Sequence, residues 1–171
     1  MSSVKREIYE DLRFFQAIVP KLYTTWNIVG KAIDTEGYDA VCFVVNVGVM
    51  ESAGNLGATS FLQIQLEHAL GSTYETAASA SAGTWSEAYP SQMVHSVLGM
   101  AGAYSTLDSG IWQSLTDSTS GLNVYAIGYK GPRRFVRVAI SGEDGASDVE
   151  LGAVAILGLP NLWAANQAVG D

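Results

Sequence analysis

The sequence predicts an all-β domain, an antiparallel β-sandwich or jelly roll of about seven or eight strands with few helices. Three observations carry this. Residues 40–50 set Val41, Phe43, Val45, Val47 and Val49 at alternate positions, and alternate side chains of an extended chain share a face. Residues 58–70 alternate Leu62, Ile64 and Leu66 with Gln63, Gln65 and Glu67, the pattern of a strand buried on one side and wet on the other. The last third of the chain repeats strand-like runs between glycine-containing polar turns.

Taken in order, Val4, Ile8, Leu12 and Phe15 recur at helical spacing behind Ser2 and Ser3, which predicts a short capped amphipathic helix over residues 4–15. An extended reading competes over residues 12–23, where Pro20 opposes a helix. Residues 1–23 are therefore assigned to an N-terminal arm that needs a surface to lie on. Residues 24–160 are assigned to the sandwich. Its first strand is expected over residues 24–33, rich in Thr, Ile, Val and Trp, and ends at a turn over residues 34–37. The 40–50 strand follows. Its second face carries Cys42, Val44, Asn46 and Gly48. A strand apolar on both sides is expected at the centre of a sheet, covered above and below.

A glycine-rich loop over residues 51–57 leads to the 58–70 strand, and residues 74–80 read as a short return strand. Residues 81–121 form an irregular insertion. Within it Met93, Val94, Val97, Leu98 and Ala101 have helical spacing, interrupted by Gly99 and Gly102, so one short helix is expected there. A long irregular insertion in a small domain usually binds something. Strands are expected again over residues 122–129, 134–141 and 149–157, the last apolar on both faces and so central. Residues 161–171 are a C-terminal tail without positive charge.

The chain has 171 residues, enough for one domain. Charged residues make up 15%, against about 25% in an average soluble domain. A surface short of charge is covered by neutral polar groups or by a partner. The net charge of −8 argues against a phosphate backbone as partner. The single cysteine, Cys42, excludes an intrachain disulfide. The charged N-terminus is not a secretory signal, and no stretch is apolar for long enough to cross a bilayer as a helix.

No nucleophile elbow, phosphate loop, dinucleotide fingerprint, zinc-protease motif or calcium loop occurs. His68 and His95 are the only histidines, too few for a zinc site without more cysteines. Cys42 reads as a core residue, because a reactive thiolate needs exposure and positive neighbours. Glu143, Asp144, Asp148 and Glu150 could offer oxygen ligands to calcium, but their spacing also suits a solvated hairpin tip. Lys130, Arg133, Arg134 and Arg137 form one basic cluster, read either as a patch for an acidic partner surface or as a solvated strand end. Trp26, Trp85, Trp112 and Trp163 could stack on sugars, but tryptophan more often anchors a core or an interface.

Three segments carry a resemblance. They are the strand over residues 38–48, the strand over residues 61–67, and the run over residues 125–139, with residues 152–160 as a further match. Over roughly residues 28–160 the chain resembles the small phage virion proteins that cement or decorate capsids, which have a jelly-roll fold. Residues 81–121 are longer and less regular than that pattern. The resemblance implies a non-enzymatic virion protein without cofactor, assembled in the host cytoplasm. Such a protein trimerises on the capsid exterior and bridges neighbouring major capsid protein subunits, with no direct nucleic-acid or membrane contact. Phe14, Phe15, Trp112, Trp163, Arg133 and Arg134 are then expected at subunit or capsid contacts, and many copies would give avidity. Alternatives are a head–tail or tail component, a carbohydrate-binding jelly-roll module, and a hydrolase on the same fold.

Overall fold

The computed structural model describes residues 12–25, 27–50, 61–69, 84–94, 110–115, 122–142 and 148–160. Among them are eleven strands: β1 (Leu12–Tyr23), β2 (Asn27–Val29), β3 (Ile33–Asp34), β4 (Tyr38–Met50), β5 (Leu62–Ala69), β6 (Trp85–Glu87), β7 (Met93–Val94), β8 (Ile111–Leu115), β9 (Asn123–Tyr129), β10 (Phe135–Gly142) and β11 (Val149–Pro160). A single 3-10 turn, Pro90–Gln92, is the only helical element among the described residues.

The strands form two sheets, β1-β11-β4-β9-β7 and β2-β10-β5-β6, with β3 also on β10 and β8 also on β5. The short strands share edges. β2 and β3 lie end to end along β10, at Ile140↔Ile28 and Val136↔Ile33. β6 and β8 lie end to end along β5, at Ala69↔Trp85 and Leu62↔Leu115. Counted by edge, the pairing is nested: β1 with β11, β2 and β3 with β10, β4 with β9, and β5 with β6 and β8. This is the chain folded once into a long antiparallel ribbon and then rolled, the eight-strand topology of a jelly roll.

Packing follows the alternation. Val41, Phe43, Val45 and Val47 of β4 point into the sandwich with Ala153, Ala155 and Leu157 of β11 and Tyr125, Ile127 and Tyr129 of β9. Leu62, Ile64 and Leu66 of β5 meet them from the other sheet with Val136, Val138 and Ile140 of β10. These side chains join one core cluster, whose removal from water is the main favourable term in folding.

Two expectations need correction, and one open choice is decided. Over residues 12–23 the extended reading holds: the segment lies on its own domain as an edge strand, β1, paired with β11 in the form that Pro20 favours. Pro20 is tolerated because β1 has one edge unpaired among the described residues and its register slips on both sides of Ile18; residues 1–11 lie outside the described residues. Residues 24–33 are not one strand. The chain breaks at Gly30, whose N–H donates to the Val138 carbonyl at 2.9 Å, while Lys31 N–H turns to the Ala17 carbonyl of the other sheet at 2.8 Å. A Cβ on Gly30 would stand 2.5 Å from the Val138 oxygen, so no other residue fits. The helix expected from Met93 starts instead as strand β7, with Met93 opposite Tyr129. Its remainder, and the strand expected over residues 74–80, lie outside the described residues.

Candidate functional site

The outward face of the five-stranded sheet is the feature that the core does not explain. Cross-strand partners share a face, so the register gives its rows. Leu12, Gly158 and Ala40 form the first. Phe14, Ile156, Cys42, Gly128 and Val94 form the second. Gln16, Val154, Val44 and Ala126 form the third, and Gly152, Asn46 and Val124 the fourth. None of these side chains is charged, and Phe14, Val124 and Val154 are 53%, 60% and 40% exposed. β4 and β11 are central, as expected from their two apolar faces, but the described residues cover only one of those faces.

This face is concave. A groove of about 620 Å³ runs across β1, β11 and β4. Its floor includes Gly48, Gly152, Asn46 and Val44, and Phe14, Pro20 and Leu22 rise beside it. The register slip in β1 folds Pro20 over Gly152, where a Cβ would meet the ring at 2.8 Å. Small residues therefore make the depression and the proline makes its wall. Among the described residues Glu150, opposite Leu22, is the charged side chain that the register puts on this face, whereas Lys21 pairs with the inward Leu151. Lys21 Nζ lies 4.7 Å over the Tyr23 ring. At the same end Leu122 N–H donates to the Gly48 carbonyl at 3.2 Å. Leu122 is 80% exposed and has φ 56°, a left-handed backbone that costs a branched residue energy.

The opposite sheet presents a different surface. Gln63, Gln65 and Glu67 of β5 face outward beside Ser141 and Arg137 of β10. Arg137 donates to Glu67 Oε2 at 2.6 Å and lies 4.1 Å from the Trp85 ring. That face carries an internal ion pair beside a small apolar cluster of Ala69, Phe135 and Trp85; the four rows of the groove face hold no ion pair.

The residues expected at contacts divide. Phe14 and Phe15 both line the groove. Trp112 does not reach the surface: it is 3% exposed, on the inward side of β8, and its indole N–H has no partner among the described residues. Arg134 is engaged within the chain, bidentate to Asp34 at 2.8 and 2.7 Å and 2.6 Å from Glu36, which holds β3 to the start of β10. Arg133 is half-buried, and its backbone N–H donates to the Tyr129 hydroxyl at 3.2 Å. Arg134 and Arg137 of the basic cluster thus serve the chain's own ion pairs. Trp163, Trp26, His95, Glu143 and Asp144 lie outside the described residues.

The groups with chemical potential are placed for structure. Cys42 is half-buried, and burial raises its thiol pKa against a smaller opposing backbone hydrogen bond. His68 is buried between the sheets, with its pKa lowered by burial first and by Arg133 second. Among the described residues, no group of three His, Cys, Asp or Glu side chains could hold a metal ion, and no helix is long and apolar enough to cross a membrane. No family model, curated protein or solved structure matches the chain. The sequence marks Phe14 and Phe15, but the groove itself was missed. Its signal was present in the second apolar face of residues 40–50 and 149–157.

Proposed function

We propose that this chain is a non-enzymatic structural protein of a virion, a cement or decoration protein. It assembles as a homotrimer on the capsid exterior and bridges major capsid protein subunits. One observation supports this above the others: a concave four-strand face whose four rows from Leu12 to Val124 carry no charge and which the described residues leave open. Monomeric proteins seldom expose contiguous apolar surface of this extent unless something covers it. The jelly-roll topology is compatible with the reading but does not carry it, because the same architecture serves lectins and capsids alike.

A carbohydrate-binding role has less support. The described tryptophans offer no open stacking ring: Trp112 is in the core, and Trp85 packs on Ala69 and Phe135 beneath Arg137. The test is to incubate the protein with capsids emptied of DNA and pellet the particles. Wild-type protein is expected to co-sediment, and Val154→Glu, which puts charge in the face, to remain in the supernatant. Failure of the wild type to bind shells, with a positive signal on a glycan array, would overturn the reading in favour of the sugar-binding one.

A further inference from the structure

We infer that the groove takes an apolar segment of a partner protein that carries one basic residue, with its ammonium or guanidinium seated between Glu150 and Asn46. The inference rests on the reading of this face as a docking surface and names the chemistry of what docks.

The groove has two unlike ends. Toward Phe14 it is lined by apolar side chains, Val44 of β4 and Val154 of β11 among them. Toward Gly48 it carries its polar groups. Asn46 lies opposite Gly152 in the fourth row, and its side chain is exposed. Glu150 reaches across Gly48, where a Cβ would stand 3.1 Å from Oε2. Gly48 and Gly152 put no side chain on the floor here, which leaves room for a long stem. The aliphatic part of a lysine or arginine can lie along such a floor while its head meets the polar groups. That head only donates hydrogen bonds, the Glu150 carboxylate only accepts them, and the Asn46 carboxamide oxygen accepts as well.

Charge selects the occupant. Glu150 is exposed and takes no part in the ion pairs among the described residues. The four rows beside it are uncharged, and Lys21, one position out of register, belongs to the inward side. A cation from outside therefore meets a carboxylate that no described cation shares. The net charge of −8 attracts that cation over distance and repels nucleic acid and anionic lipid. A second copy seated face to face would bring another Glu150 and no cation within the rows. A small cationic molecule would fill the groove but leave Val124 and Val94 exposed on the strands beyond it. A protein surface covers the groove and these valines together.

The experiment selects a random heptapeptide display library on the immobilised full chain, as wild type, Glu150→Gln and Glu150→Lys. Glu150 is exposed, so all three should melt at the same temperature. Wild type is expected to enrich peptides with one lysine or arginine among apolar residues. The most enriched peptide, made synthetically, should slow alkylation of Cys42, which lies in the second row of the same face. It should bind Glu150→Gln about 5-fold and Glu150→Lys more than about 10-fold less tightly. A wild type that enriches no peptides or acidic ones, affinity that Glu150→Lys leaves unchanged, or a peptide that leaves Cys42 as reactive as before would overturn the inference. Basic-peptide binding without co-sedimentation with shells refutes the virion reading alone; shell binding that Glu150→Lys leaves undiminished refutes the basic-segment contact alone.

Discussion

His68 Nδ1 and the Tyr129 hydroxyl lie 2.9 Å apart and join the two sheets through the core. His68 belongs to β5 and Tyr129 to β9, and their rings meet edge to face at 5.9 Å between centroids. The hydroxyl accepts the Arg133 N–H at 3.2 Å, and the direction of its bond to Nδ1 follows the imidazole tautomer. Burial holds His68 neutral and raises the Tyr129 pKa, so both groups keep the uncharged forms this bond needs.

Acid should therefore loosen the sandwich. The folded-state pKa of His68 is lowered from the unfolded value of 6.5. The unfolded chain then binds the proton more readily, so this contribution is complete above pH 6.5 and declines as pH falls from there toward the folded value. Melting temperatures between pH 8 and 5 should show a drop that His68→Phe lacks. Tyr129→Phe strands a buried ring nitrogen and should cost about 1–3 kcal/mol at pH 8, read from urea midpoints.

Trp112 has an indole N–H with no acceptor among the described residues of the core. A buried donor left unpaired costs about 1–3 kcal/mol, which offsets part of what the ring gains by burial. Trp112→Phe is expected to change stability by less than about 1 kcal/mol, whereas Trp112→Ala should cost about 3–5 kcal/mol. Denaturant unfolding of both variants checks the difference.

Leu122 combines φ 56° with 80% exposure. Glycine accepts that backbone without penalty, so Leu122→Gly should stabilise the isolated chain by about 0.5–1 kcal/mol. If the residue is kept for contact, the same change should weaken co-sedimentation with emptied capsids. Thermal melts of the protein alone separate the two effects.

Much of the fold is legible because a two-residue period is a strong signal. The strands built on Val41 to Val47, on Leu62 to Leu66 and on Val136 to Ile140 fall where alternation puts them. Where the period fades, reading fails. β2 and β3 look continuous in sequence; what separates them is a pair of long-range contacts that no local pattern encodes, Gly30 N–H to Val138 of the same sheet and Lys31 N–H to Ala17 of the other. Trp112 looks like a surface anchor because its neighbours do not alternate, although Leu115, three residues on, is buried with it. Val44 and Val154 read as covered on both sides. They are central along the sheet, but nothing local says whether a second face is covered by the same chain or by another.

The nested strand order has a consequence for biosynthesis. Leu12 pairs with Gly158, so the earliest described strand has no strand partner until the latest has left the ribosome, although Ala17 already receives the Lys31 N–H. Jelly-roll nucleation can begin only at the innermost hairpin and must wait for distant segments. Nascent chains are thus obliged to keep Phe14, Phe15 and the valines of β4 from aggregating during the whole of translation, and chaperone depletion should lower soluble yield more than codon speed does.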